Sequence, residues 1–250
     1  MTTGDAAQLR TLAFGDVQGG VWGAVISAPA PLVAFGSGAD ALATDGPFDA
    51  VWDGDGRGWR LTGDGFDLRV ASHGEDVTPE AADDGEAVSG FQELCRVQGT
   101  ITLGGAEREL QCIGTRSVID GVDAGSLGSA RAVAGWFADD EAFMLQSLRA
   151  DEDAGQESDL VAATLFDPEG WTPVNDPRLS TTYTEAGVPT RANLELWIGE
   201  GEDEFPRRAA GEASGAGADL QTGPRRLRVV PLRCHSRGRE GAGVYVLASF

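Results

Sequence analysis

Lysine is absent from this chain of 250 residues. All 19 basic residues are arginine, against 40 aspartates and glutamates, so the formal net charge is −21. A field of that sign repels phosphates, which argues against nucleic acid and anionic membranes as partners. Histidine is scarce: His73 and His235 are the two in the chain. Cysteine stops at three, Cys95, Cys112 and Cys234, too few for a disulfide framework. Cys-x-x-Cys and His-Glu-x-x-His spacings are missing, as are a Gly-x-Ser-x-Gly elbow and a phosphate loop, so no metal and no cofactor is expected. No apolar run approaches the roughly 18 residues of a membrane span. The start, MTTGDAAQLRTLAFGD, lacks the charged end and apolar core of a signal peptide. These absences predict a cytoplasmic protein without a membrane span. Clean helical periodicity is also lacking; Ala142 to Ala150 is the one helix-compatible stretch, and its turn-bounded neighbours favour strand.

Hydrophobic content of 41%, with six Trp and ten Phe, is enough to bury a core. The clearest local pattern is a hairpin around Gly104-Gly105. A two-residue turn there sets Leu103 opposite Ala106, Ile101 opposite Arg108, Gly99 opposite Leu110 and Val97 opposite Cys112. Val97, Ile101, Leu103, Ala106, Leu110 and Cys112 then share an apolar face. Gln98, Thr100, Thr102, Glu107, Glu109 and Gln111 share a polar one. Slipping by one residue would mix the faces, so this register is favoured. Cys95 and Cys112 fall on one face but diagonally, too far apart for a disulfide.

Other strand candidates follow at roughly 8–12 residue spacing, the rhythm of an all-β sandwich or barrel. They are Val21–Ile26, Pro31–Phe35, Phe48–Trp52, Trp59–Thr62 and Phe66–Ala71 before the hairpin. After it come Ala130–Phe137, Ala142–Arg149, Leu160–Phe166, Trp171–Val174, Leu179–Tyr183, Arg191–Ile198, Arg207–Ala213, Leu227–Leu232 and Gly243–Phe250. The Gly/Ser/Asp stretch Gly121–Ser129 is the best domain boundary.

Most candidate chemistry has a plainer reading beside it. Asp53–Gly58 (DGDGRG) resembles a calcium loop but lacks its distal ligands, and a hairpin turn explains it. Cys234-His235 offers two metal ligands without a third. His235 in a β cavity could act as acid or base, or simply be half-buried. Arg225, Arg226, Arg228, Arg233, Arg237 and Arg239 read as a solvated face neutralising the acidic run Glu200–Glu204. Trp22, Trp136, Trp171 and Trp197 lie inside strand candidates, where they could line an apolar pocket or fill a core.

The order of elements resembles the tandem lipocalin-like (calycin) proteins related to carotenoid 1,2-hydratase and the AttH group. Three stretches carry this: Val97–Gly114, Gly114–Gly121 (GTRSVIDG) and Gly238–Tyr245 (GREGAGVY). The middle one sits where that superfamily often has Gly-x-Arg-Asp-His-Ser-Trp-Gly. Gly114, Arg116 and Gly121 agree with it, while Ser117-Val118-Ile119-Asp120 replaces the Asp-His-Ser-Trp centre. The resemblance implies an all-β fold of two antiparallel lipocalin-like barrels or sandwiches in tandem, residues 1–120 and 121–250. It also implies that the family's histidine chemistry is missing.

Two functional expectations stand side by side. In the first, the barrels bind a hydrophobic, lipid- or isoprenoid-like small molecule near their junction without catalysis. Arg116 anchors its polar end or a carboxylate across the junction, and Trp22, Trp136, Trp197 and Tyr183 contribute walls. In the second, the protein is a hydratase, cyclase or isomerase that protonates an unsaturated hydrophobic substrate. Asp120 and His235 are the main acid candidates, with Tyr183 and Glu195 behind them. Asp120 has a bland alternative as a loop residue before Gly121.

Overall fold

The computed structural model describes residues 8–17, 20–27, 31–46, 48–52, 58–74, 78, 90–122, 127–150, 159–198 and 205–250. Among them there is no helix, and hence none able to cross a membrane; the strands form two curled, antiparallel half-barrel sheets in tandem. The first comprises β1 (Gln8–Gly15), β2 (Trp22–Ile26), β3 (Leu32–Ser37), β4 (Asp40–Thr44), β5 (Phe48–Trp52), β6 (Gly58–Gly63), β7 (Phe66–Ser72), β8 (Gly90–Leu103) and β9 (Ala106–Asp120). The second comprises β10 (Ser129–Ala138), β11 (Glu141–Arg149), β12 (Leu160–Asp167), β13 (Gly170–Pro173), β14 (Asp176–Tyr183), β15 (Pro189–Trp197), β16 (Arg207–Ala213), β17 (Ala218–Thr222), β18 (Arg225–Ser236) and β19 (Arg239–Ser249).

The two sheets repeat one topology. The first runs β4-β3-β2-β1-β9-β8-β7-β6-β5 and the second β13-β12-β11-β10-β19-β18-β16-β15-β14, with β17 added on β18. In each, the opening strand pairs the closing one, β1 with β9 and β10 with β19. The repeat extends to residues. Leu12 faces Arg116 in the first sheet as Val133 faces Tyr245 in the second. Two residues before each lies a glycine, Gly114 or Gly243, with a cysteine sulfur packed where its side chain would be, Cys95 and Cys234 respectively.

The central hairpin adopts the expected register, from Leu103 opposite Ala106 through Val97 opposite Cys112. Its apolar face is buried except at Ala106, and its polar face is exposed or half-buried. Gly99 interrupts the apolar face for a steric reason: its φ is +142°, and a Cβ there would sit 1.9 Å from the Asp67 carbonyl oxygen. The three cysteines are free. The strands continue past the alternating stretch, so Gly114–Asp120 completes β9. The turn Asp53–Arg57 and the acidic run Glu200–Glu204 lie outside the described residues, but the strands flanking the first pair as a hairpin.

Parity sorts the core into three. On β1, Leu12 and Phe14 point into the first half, with Phe35, Trp59, Phe66 and Val97. Leu9 and Ala13 point the other way, against Ala130, Trp136, Met144 and Val246 of the second sheet. Val133, Phe143, Leu145, Leu194, Leu232 and Tyr245 fill the second half. The middle strands are therefore buried on both faces, which is why their sequences lose the alternation of half-exposed strands.

Candidate functional site

The junction between the sheets is an apolar wall with a row of polar side chains set in it. Thr11 of β1 and Ser117 of β9 are register partners with their hydroxyls 2.8 Å apart, and Ser117 Oγ donates to Gln146 Oε1 of β11 at 2.7 Å. Thr164 Oγ1 of β12 donates to Gln92 Oε1 of β8 at 2.6 Å. Thr115 follows on the same face of β9. The Gln92 Nε2, Thr115 Oγ1 and Trp136 Nε1 atoms are buried without a hydrogen-bond partner. A cavity of about 10 Å³ lies between the sheets, with Thr11, Ile26, Ala134, Met144, Gln146 and Val246 in its wall, room for about one water.

On the opposite face of β8 and β9 sits a charged centre. Glu93 and Arg116 are register partners and form an ion pair inside the first half. The Arg116 guanidinium carbon lies 4.8 Å from the Trp59 ring centre and 5.7 Å from that of Phe91, within cation–π range. Ser72 Oγ donates to the second Glu93 oxygen at 3.1 Å. The expected carboxylate across the junction is thus replaced by one on the neighbouring strand of the same sheet, because even-numbered residues of β9 face into the first half.

The equivalent place in the second half holds hydroxyls. Tyr245, fully buried, has its phenol oxygen 3.2 Å from Thr181 Oγ1 and 3.1 Å from the hydroxyl of Tyr183. Burial pushes the Tyr245 phenol above its ordinary range. A wider cleft of about 220 Å³ opens where Asp16, Arg96, Gln98 and Gln111 of the first half meet Asp139 of the second. It is polar and falls short of the roughly 300 Å³ at which small-molecule pockets begin. Arg96 there bonds Asp139 at 3.2 Å and donates to His73 Nδ1 at 3.3 Å, tying the halves together.

The other sequence candidates are scattered. Asp120 ends β9, four residues beyond Arg116 or about 13 Å along the strand, and accepts a bond from Gln8 Nε2 at 2.6 Å. His235 is on β18, half-exposed and 3.9 Å from Glu240. Glu195 accepts from Arg208 on the surface at 3.1 Å. Trp22 and Trp136 pack in the junction core, whereas Trp197 lies 5.6 Å from the Arg178 guanidinium. Of the arginine cluster, Arg226 and Arg228 pair with Asp219, Arg233 with Glu212, Arg237 with Asp167 and Arg239 with Glu141. Glu93, Gln92 and Thr115 were not singled out by sequence reasoning. Extending the parity of Val97 back by four residues would have set Glu93 among apolar positions.

No protein-family model matches the sequence, and no curated protein matches it. Its fold is found in solved structures. An AttH-like protein of Nitrosomonas europaea superposes with a TM-score of 0.62 at 11% identity, over 97% of this chain and 91% of that one. CghA gives 0.61 at 12% identity, over 97% and 88%, and has also been solved with Sch210972. Kievitone hydratase of Nectria haematococca gives 0.52 at 9%, over 97% and 88%. At these identities the likeness is one of fold.

Proposed function

We propose that this chain is an enzyme that hydrates, cyclises or isomerises an unsaturated, largely apolar small molecule. The substrate is held where two lipocalin-like domains, residues 1–120 and 121–250, meet. The observation that carries this reading is the junction wall, apolar on both sides, in which the Gln92 amide nitrogen and the Thr115 hydroxyl are wholly buried and unpartnered. A buried polar group left unpaired costs about 1–3 kcal/mol, and such groups call for an explanation such as a catalytic role. A hydratase among the proteins of this fold supports a reaction over storage. Occupancy needs the two sheets to part, since the present space holds about one water. The Glu93–Arg116 pair stiffens β8 and β9 from behind.

Incubation with a panel of unsaturated isoprenoids and conjugated ketones in heavy-oxygen, deuterated water tests this. Mass spectrometry should show a product that has gained one labelled water, or deuterium without a net addition. Ligand retained unchanged would reduce the protein to a binding role. No product and no retained ligand would remove the reading.

A further inference from the structure

Buried donors decide which kind of unsaturated molecule suits the junction. Gln92, Thr115 and Trp136 are 0% exposed, yet Gln92 Nε2, Thr115 Oγ1 and Trp136 Nε1 have no partner. The carboxamide NH2 and the indole N–H can only donate, and a hydroxyl can donate as well. Gln92 already spends its carbonyl on the Thr164 hydroxyl, so what remains is a donor. Two of the three share a neighbourhood. Gln92 stands beside Ser117 and Leu94 beside Thr115, which makes Gln92 and Thr115 diagonal neighbours on one face of β8 and β9. The Trp136 ring packs against Gly15, two strands and four residues away from Gln92 in the register.

The junction cavity has no carboxylate in its wall, and Arg131, its one ionisable residue, is held by Asp159. Among the described residues the buried charged side chains are Glu93, Arg116, Arg228 and Asp159, the last bound by Ser147, Arg131 and Arg149 on the odd positions that face the second half. Glu93 and Arg116 occupy the opposite face of β8 and β9, and Arg228 is bound to Asp219 and the Gly187 carbonyl at the rim of the second half. A buried carboxylic acid able to protonate an isolated alkene is therefore not part of the junction wall. Donors without an acid suit a different substrate, one whose double bond is already polarised.

We infer that the substrate is an α,β-unsaturated carbonyl compound whose carbonyl oxygen is held by the neighbouring donors of Gln92 and Thr115. This rests on the proposed function and narrows it. Water, or a hydroxyl of the same molecule, forms a bond from its oxygen to the β carbon. The electron pair of the double bond shifts toward the carbonyl as an enolate, and the enolate oxygen takes the hydrogen bonds of the two donors. The proton lost by the attacking oxygen ends on the α carbon, so nothing is oxidised or reduced. Neutral donors preset in a dry wall act on charge that develops during the step.

Two probes of similar shape test this: chalcone, a conjugated ketone, and trans-stilbene, which has the alkene but no carbonyl. With the full chain, the chalcone absorption band should move to longer wavelength on binding, and chalcone alone should gain labelled water. Gln92→Leu and Thr115→Val should abolish most of the band shift and lower turnover by about 10²–10³-fold for a lost donor, with circular dichroism confirming the fold. Turnover of stilbene at the rate of chalcone, or variants that leave band and rate unchanged, would overturn the inference while leaving the proposed function standing. Failure of either probe to bind or react, together with no turnover across the wider panel, would end both.

Discussion

Glu93 and Arg116 face each other directly across β8 and β9, and their side chains are 1% and 0% exposed. Taking two charges out of water is expensive, and the bond between them, with Ser72 and two aromatic faces, offsets that. The balance holds only while both partners are present.

Removing one partner should therefore cost more than removing both. Glu93→Leu alone strands the guanidinium and should destabilise by about 3–5 kcal/mol. Glu93→Leu combined with Arg116→Met should lose less than either single change. Urea unfolding midpoints of the three variants read this directly.

The opposite sign is expected at the junction. Thr115 Oγ1 is buried without a partner, and valine keeps the shape while removing the hydroxyl. Thr115→Val should raise stability by about 1 kcal/mol, seen as a higher thermal midpoint without ligand. A lower midpoint would show that the hydroxyl is satisfied.

Asp159 gives the fold a pH dependence. Burial pushes its carboxyl up, but hydrogen bonds from Arg149 and Ser147 and the charges of Arg131 and Arg149 outweigh that and hold it below the ordinary range. Its folded pKa is thus depressed. The stabilisation is complete above the unfolded value, about 3.9, and is lost as pH falls through the folded one. Wild type should melt above Asp159→Asn at neutral pH, and the two curves should converge in acid.

The cysteines should be inert while the protein is folded. Burial pushes the Cys112 and Cys234 thiols up to about 12 and Cys95 higher still. The thiolate is the reactive form, so a thiol reagent near pH 8 should titrate all three only after denaturant is added. Fast labelling in native buffer would contradict this placement.

Some of this was legible in the sequence because local rules settled it. Val97 to Cys112 alternates around a Gly-Gly turn, and one face is wet, so a single register survives. The same rule fails from Ile113 to Ile119, where both faces are buried and polar residues point into two different interiors. β4 (Asp40–Thr44) and β17 (Ala218–Thr222) escape notice because they are only five residues long. The junction row was out of reach for another reason. Its members come from β1, β8, β9, β11 and β12, and no local spacing brings Thr11 to Gln146 or Gln92 to Thr164. The resemblance to tandem lipocalin-like proteins indicated the architecture, while the chemistry had to come from placed atoms.

The pairing of first strand with last also sets the timing of assembly. Gln8 bonds Asp120 across 112 positions of chain, so β1 sits mid-sheet yet waits for β9 before its second edge is covered. Contacts that distant form slowly. On the ribosome the first half must stay open until residue 120 has emerged, exposing the very strand that later carries Leu9, Thr11 and Ala13 into the junction. The second half repeats the delay, with β10 waiting for β19. Neither interior can therefore seal early, and the two halves are left to close in the order in which they are made.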